Sequence, residues 1–132
     1  MYQKITIVGY LGKDPEMRYF DDGTPVTNFS VAASRKYTGA DGQPVDETTW
    51  FRVSVVGKQA EACNTYLSKG RPVLIEGRLQ PDSGGNPRVW TRDDGTPNAS
   101  FEVRANIVQF LPGRGEGDGG YEVKDEGTEI PF

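Results

Sequence analysis

The 132-residue chain contains no histidine and only one cysteine, Cys63. Without histidine it cannot form the Ser-His-Asp or Cys-His arrangements of nucleophilic catalysis, nor the histidine-bearing helices of zinc hydrolases. A single cysteine allows no intrachain disulfide and no cysteine-based metal site. We therefore expect no enzymatic activity, no cofactor and no metal ion.

Long hydrophobic runs are also missing. The N-terminal stretch MYQKITIVGYLG has no basic segment followed by an extended apolar stretch. It therefore predicts neither a signal peptide nor a membrane span. Together with the single cysteine, this makes a reducing cytoplasm the expected location.

Positive charge is scarce overall, with 15 basic side chains against 19 acidic ones and a net charge of −4. The deficit lies in residues 112–132, which hold two of the basic and six of the acidic side chains. Residues 1–111 are consequently neutral as a whole. This part of the chain can carry a local basic face even though the whole protein is acidic.

Five segments combine alternating polarity with β-branched and aromatic residues, as strands do. They are 4–12, 26–37, 47–57, 71–79 and 99–111. Between the third and fourth, residues 58–70 have a helical pattern with Ala62, Tyr66 and Leu67 on one side and Gly70 as a stop signal. The order β-β-β-α-β-β predicts an all-β fold with one helix, namely an OB-fold, a five-stranded Greek-key barrel. An α+β sandwich with a single covering helix is the alternative.

Glycines inside the strand patterns favour the barrel, because barrel strands bend sharply or bulge at such residues. They are Gly9, Gly12 and Gly77. The near-identical hexamers DDGTPV (21–26) and DDGTPN (93–98) lie between predicted strands. They lack the ligand spacing of a calcium-binding loop, and Asp-Gly is a common turn sequence. We expect both hexamers to form hairpin turns.

The third predicted strand places a tryptophan beside an arginine. Alternation points Trp50 and Arg52 to one polar face and leaves the opposite set as core residues, namely Phe51, Val53 and Val55. An aromatic ring on a wet, basic face can stack on a nucleic-acid base while the guanidinium meets a phosphate. The alternative is that Trp50 packs under a loop or in a subunit interface.

Two further aromatic residues have basic neighbours. At the end of the second strand the sequence SRKY brings together Arg35, Lys36 and Tyr37. Trp90 lies between Arg88 and Arg92 in the long connection between the fourth and fifth strands. OB-folds hold their ligands partly with the loops after strands one and four, which favours a binding role for this connection. A hairpin stabilised by cross-strand packing of Trp90 is the alternative.

Adjacent carboxylates give little support for catalysis. They occur as Asp21-Asp22, Asp46-Glu47 and Asp93-Asp94, all in turn-like sequences. Neighbouring acids diverge along the backbone, and no supporting ligands accompany them, so a metal-dependent nuclease is disfavoured. The glycine-rich runs also lack the Gly-Lys-Ser/Thr of a phosphate-binding loop.

Four stretches in sequence order resemble the bacterial single-stranded DNA-binding proteins. They are ITIVGYLGKDPEMRY, TTWFRVSVVGKQAEACNTYLSKG, VLIEGRL and the terminal IPF, and the likeness covers nearly the whole chain. It implies a non-enzymatic protein that binds and protects single-stranded DNA, with little sequence preference, during replication, recombination and repair. It also implies a homotetramer with one OB-fold per chain, in the cytoplasm and associated with the nucleoid. An OB-fold module that binds RNA or a protein partner, of the primosome type, is the alternative.

The resemblance assigns roles to particular residues. The family's base-stacking aromatics correspond to Tyr37, Trp50 and Trp90, and Val56 stands where the family has a further aromatic. Its phosphate-contacting positions match Arg52, Lys58, Lys69 and Arg88. The clusters described above add three more candidates for phosphate contacts: Arg35, Lys36 and Arg92.

The C-terminal segment 112–132 is glycine-rich and acidic, and it ends in an apolar tip after Glu129: Ile130, Pro131 and Phe132. Such a composition keeps a segment unfolded, while Pro131 lowers the ordering cost of binding and Phe132 offers a ring and a carboxylate. The resemblance implies that this tip docks on replication, recombination and repair proteins. We expect an OB-fold domain over 1–111 and a flexible tail over 112–132; a final strand folded back is the alternative.

Overall fold

The computed structural model describes residues 1–113. Its elements are β1 (Ile5–Leu11), β2 (Glu16–Tyr19), β3 (Pro25–Thr38), β4 (Pro44–Val56), α1 (Lys58–Tyr66), β5 (Pro72–Leu79), β6 (Val89–Thr91), β7 (Pro97–Ala99) and β8 (Phe101–Phe110). The five long strands and the helix correspond to the predicted elements in the predicted order. The short strand β2 was not predicted, and the β6–β7 hairpin was predicted only as the alternative for the connection around Trp90.

The long strands form a closed barrel. They are hydrogen-bonded in the order β1-β5-β8-β4-β3, and β1 pairs again with β3 to complete the circle. The β4–β8 pair is parallel, whereas the other pairs of the barrel are antiparallel. A closed five-stranded barrel with one helix is an OB-fold, so the prediction is confirmed over the sandwich alternative.

The core lies inside this barrel and follows the alternation of the strands. Buried apolar side chains come from every barrel strand: Ile7, Leu11, Phe29, Val31, Val53, Val55, Val73, Ile75 and Val103. On β4, Val53 and Val55 are buried as predicted, and Phe51 is half-buried at the rim, where its ring contacts that of Phe101. The opposite face of β4 is thereby free to carry polar and functional side chains.

The predicted core face of the helix is right for Leu67 and wrong for Tyr66. Leu67 is buried as predicted, together with Ala60 and Cys63, whereas Tyr66 is exposed and Ala62 is only half-buried. Small residues take this face because the helix lies close against β3, where buried Thr27 donates a 2.6 Å hydrogen bond to the Ala60 carbonyl oxygen. Burial also raises the pKa of the Cys63 thiol to about 11, so this thiol stays protonated and unreactive. The helix ends at Tyr66, before the expected stop at Gly70, because Leu67 is already extended.

Both hexamers, DDGTPV and DDGTPN, form the predicted turns. In each, the second aspartate accepts a hydrogen bond from the amide two residues later, at 2.9 Å for Asp22 and 3.0 Å for Asp94. The glycine that follows has a φ of 88° at Gly23 and 91° at Gly95, which only glycine adopts without strain. The hydrogen bonds from Thr24 and Thr96 lower the pKa of both carboxyls.

Two barrel glycines lie where strands approach too closely for a side chain. Gly77 stands at a register shift between β5 and β8, as expected for a bulge. A methyl group on Gly9 would overlap the carbonyl oxygen of Ala32 where β1 closes against β3. The barrel therefore closes only because position 9 has no side chain.

We predict that Gly9→Ala destabilises the protein by more than about 2 kcal/mol, since a methyl group would force two backbones apart in the packed barrel. Urea unfolding monitored by circular dichroism measures this directly. The matched control is Thr6→Ala, an exposed position on the same strand, which should change stability by less than about 0.5 kcal/mol. Equal, small effects of the two substitutions would contradict the closure argument.

Candidate nucleic-acid interface

On the outer face of the barrel, β3 carries a row of short side chains where it pairs with β4. We call the row Asn28, Ser30, Ala32 and Ser34 the β3 floor; these residues pair across the sheet with Ser54, Arg52, Trp50 and Thr48. Two hydrogen bonds between side chains tie the rows together, Ser54 Oγ to Asn28 Oδ1 at 2.8 Å and Ser34 Oγ to Thr48 Oγ1 at 3.1 Å. The floor leaves room above it for a flat ligand.

Trp50 and Arg52 rise beside this floor on the same face of β4, as alternation predicted. Trp50 is 52% exposed, so no loop of residues 1–113 covers it. Its ring reaches across β3 to Gly12, which follows β1. This arrangement presents an aromatic surface and a guanidinium, about two residues apart along a strand, to whatever lies over the floor.

A polar groove of about 590 Å³ continues from the floor. Its charged lining consists of Lys13, Arg18, Arg52 and Arg88 together with Asp14, Glu16 and Glu102. The cations thus have acidic neighbours, and the expected basic face is a mixed one. Guanidinium groups in such a groove can bind phosphate oxygens through paired hydrogen bonds.

Glu102 holds two of these arginines. Its carboxylate lies 3.3 Å from Arg88 Nε and 3.9 Å from Arg52 Nη1, and its side chain is only 16% exposed. One half-buried carboxylate therefore orients two guanidiniums toward the groove and is also a counter-ion for which a phosphate must compete. The role of Glu102 could not be predicted from the sequence, because its contacts depend on the pairing of β4 with β8.

Arg35 and Tyr37 lie in the part of the β3–β4 hairpin beyond the floor. The Arg35 guanidinium is 4.5 Å from the centre of the Tyr37 ring, and its Nε lies 2.8 Å from Glu47 Oε1. The hydrogen bond and charge of Glu47 raise the Arg35 pKa. Arg35 and Tyr37 alternate along β3 with Ser34 and Lys36, and Glu47 pairs with Arg35, so all three occupy the face of the hairpin opposite to Trp50. The predicted cluster is thus close together along β3, but Arg35 and Tyr37 lie on one face of the hairpin and Lys36 lies on the other.

Trp90 lies in the β6–β7 hairpin. A hairpin here is the alternative that we gave to a binding role for this connection. Trp90 pairs with Asn98, its Nε1 donates to Ser100 Oγ at 3.4 Å, and it is 36% exposed. Arg88 enters the groove just before this hairpin, and Arg92 Nη1 contacts Thr96 Oγ1 at 3.4 Å in its turn. The tryptophan therefore supports the hairpin and still exposes part of its ring.

The remaining predicted residues fall in separate places. The Lys69 amide donates to Asp14 Oδ1 at 2.9 Å, which ties Lys69 to the edge of the groove. Lys58 begins α1, beyond the end of β4 that is farther from Tyr37, and it is not among the groove residues. Val56 shares the face of Trp50 and pairs with Val26. The residues of the apolar tip, Glu129, Ile130, Pro131 and Phe132, lie outside the described residues.

Besides Glu102, three residues of the site were not predicted. Lys13 lines the groove from the β1–β2 connection and Arg18 lines it from β2, and Phe101 lies exposed beside Trp50 in a second depression that also includes Thr48. Lys13 follows Gly12 in a loop that OB-folds often use for binding, which is the signal that could have found it. Phe101 gave no such signal, because alternation assigns it to the core side of β8.

Residues 1–113 contain neither a cluster of metal-ligating side chains nor a candidate membrane-spanning helix. In this range no three histidine, cysteine or acidic side chains converge as metal ligands would. No helix in the same range has the length and apolar character needed to cross a membrane.

Comparison with known proteins agrees with this geometry. Residues 2–111 match the Single-strand binding protein family. The chain belongs to this family. The resemblance inferred from the sequence is therefore confirmed.

Among curated relatives, the single-stranded DNA-binding protein of Wolinella succinogenes is 37% identical over 125 residues, which are 95% of this chain and 74% of that protein. The single-stranded DNA-binding protein of Neisseria meningitidis serogroup A is 38% identical over 117 residues, 89% of this chain and 64% of that protein. The chain is thus shorter than both relatives.

Two solved structures share the fold. A small single-stranded DNA-binding protein from Streptomyces coelicolor superposes with a TM-score of 0.68 at 24% identity, over 83% of this chain and 94% of that one. A deletion mutant of the single-stranded DNA binding protein from Thermus aquaticus superposes with a TM-score of 0.66 at 30% identity, over 86% of this chain and 52% of that one. Both are consistent with the OB-fold barrel described above.

We predict that Glu102→Gln strengthens binding to a single-stranded oligonucleotide at low salt by roughly two- to fivefold, because Arg52 and Arg88 lose a competing anion. The gain should disappear at high salt, where the charges are screened. Fluorescence anisotropy of a labelled oligonucleotide measures both effects.

Glu76→Gln is the matched control, since Glu76 pairs with Lys4 at 3.1 Å outside the groove. It should leave the affinity unchanged. Weaker binding by Glu102→Gln would show instead that the carboxylate acts mainly by orienting the arginines.

Proposed function

We propose that the chain binds single-stranded DNA across the β3 floor, with one base stacked on Trp50 and the adjacent phosphates near Arg52 and Arg88. The observation that carries this proposal is the half-exposed Trp50 ring beside Arg52, above a floor of short side chains. Membership of the Single-strand binding protein family supports the same ligand.

Stacking accounts for preference for single strands over duplex. In a duplex each base is already stacked between its neighbours, so its faces are not available to Trp50. Each base on an aromatic ring contributes about 1–3 kcal/mol by alanine substitution, and every base has such a face. Sequence preference should therefore be weak, while phosphate contacts make the affinity fall with salt.

Tyr37 and Trp90 extend the contact surface beyond the floor. Trp90 does so beside Ser100, which shares a depression with Trp50 and Thr48, with Arg92 at the hairpin turn. Tyr37, with Arg35 and Lys36, contacts the strand only if it passes around the edge of the β3–β4 hairpin, because Tyr37 lies on the face opposite to Trp50. Lys69 contributes a phosphate contact at the edge of the groove, and Lys58 one beyond it.

The wider role follows the family. The protein acts without catalysis and protects exposed single strands during replication, recombination and repair, in the cytoplasm with the nucleoid. It assembles as a homotetramer, and its C-terminal tip, Glu129 to Phe132, recruits partner proteins. An apolar ring with a carboxylate beside it suits a pocket that carries a basic residue.

The direct test is tryptophan fluorescence during titration with oligo-dT or with duplex DNA, at low and high salt. We expect deep quenching by the single strand alone, because the base stacks on the indole. Trp50→Ala should lose most of the quenching and weaken binding by about 1–3 kcal/mol. Trp90→Ala should lose a smaller part, since its ring is more buried.

An absence of quenching by oligo-dT would mean that the tryptophans are structural and would overturn the proposal. Stronger binding of single-stranded RNA than of DNA of the same sequence would favour the RNA-binding module instead. Binding of neither nucleic acid would favour a protein partner.

We also predict that deletion of residues 112–132 tightens DNA binding at low salt. This segment holds six acidic and two basic side chains and competes with DNA for the cations of the groove. The difference from the full chain should shrink as salt rises, since the attraction is screened. Anisotropy titrations at two salt concentrations measure it, and equal affinities at low salt would contradict the competition.

A further inference from the structure

The Trp50 ring lies against Gly12. A methyl group built on Gly12 would come within 2.6 Å of Cζ3 and 2.8 Å of Cη2 of that ring. Non-bonded carbon atoms normally approach to about 3.5–4.0 Å. Both ring atoms belong to the six-membered part of the indole, so the end of the ring occupies the space that any other residue at position 12 would fill.

Nothing else at position 12 requires glycine. Its φ lies outside the left-handed region, so alanine can adopt the same backbone conformation. At Gly9 and Gly77, by contrast, an added methyl group would meet backbone atoms of Ala32 and Arg104. Those two glycines serve barrel closure and strand pairing, whereas the neighbour of Gly12 is the movable end of a side chain.

The backbone beneath the ring is fixed. The Gly12 amide donates a 3.0 Å hydrogen bond to the Ser30 carbonyl oxygen, next to the pairing of Leu11 with Val31. Trp50 pairs with Ala32, so its ring crosses the short side chains of the β3 floor to reach Gly12. The ring therefore has a firm support at its far end while 52% of the residue stays exposed.

We propose that Gly12 is a positioning residue for Trp50, which holds the ring in the orientation that stacks on a base of single-stranded DNA. This rests on the proposed function and deepens it. A ring already held in its binding orientation loses less freedom when the base arrives, so affinity is higher. A side chain at position 12 displaces the ring and weakens stacking while the barrel stays folded.

A double-mutant cycle on the full chain tests this, with anisotropy of a labelled oligo-dT as the readout. Trp50→Ala should lose about 5- to 160-fold in affinity, the range for one stacked base. Gly12→Ala should lose about threefold or more by itself and nothing further in the Trp50→Ala background, because its effect passes through the ring. Thermal unfolding of Gly12→Ala should match that of the parent.

A conservative rescue and a spectroscopic signature accompany the cycle. Trp50→Phe lacks the outer indole atoms that meet position 12, so Gly12→Ala should cost less affinity there than beside tryptophan. With Trp90→Phe as background, Trp50 is the sole tryptophan in the chain. Gly12→Ala should then shift its emission spectrum and its accessibility to acrylamide in the free protein.

Three results would overturn the inference, and only the third would also overturn the proposed function. Equal losses from Gly12→Ala with and without Trp50 would assign the glycine a backbone role. No loss from Gly12→Ala, with a large loss from Trp50→Ala, would show that the ring needs no such support. Full affinity of Trp50→Ala would remove the proposed stacking function, and this inference with it.

Discussion

The close approach of β1 and β3 is the constraint on which the interface depends. Gly9 lets the two backbones meet at Ala32, and this pairing closes the barrel. Closure brings the residues after β1, including Gly12 and Lys13, beside the outer face of β3. Trp50 on the next strand can then span the β3 floor and rest on Gly12. One contact between backbones thus shapes both the core and the surface proposed to face the ligand.

The candidate interface also shows how a domain without net positive charge can present cations to a nucleic acid. Its cations are not gathered into a positive patch; Arg52 and Arg88 share Glu102, and Arg35 is bound to Glu47. Such pairs keep the guanidiniums oriented when no ligand is present. In the proposed function, aromatic stacking contributes affinity that does not depend on net charge, which reconciles the acidic composition with a nucleic-acid ligand.

Features set by local periodicity could be predicted from the sequence. Alternation along β4 gave the buried Val53 and Val55 and the exposed Trp50 and Arg52, and Asp-Gly turn chemistry gave both hairpin turns. Features set by strand register or curvature could not. The Glu102 pairing needs β8 beside β4, and the face of Tyr37 follows from its register with Val45.

The helix shows a different limit. Its apolar residues fit two faces about equally well, and only the close packing of α1 against Thr27 selects the one with Ala60 and Cys63. The large aromatic Tyr66 favoured the wrong face, because size is a guide to burial only where space is available.

The central claim is that single-stranded DNA binds across the β3 floor. The most direct test is to map which residues of the barrel a bound strand contacts. Oligo-dT containing 5-iodo-deoxyuridine, photo-crosslinked to the protein and mapped by mass spectrometry, reports the aromatic residues in contact with bases. The account predicts that Trp50 is the main site of crosslinking, with Trp90 next. Crosslinks confined to exposed aromatics away from the floor, such as Tyr66 and Phe110, would place the strand on another surface and contradict the account.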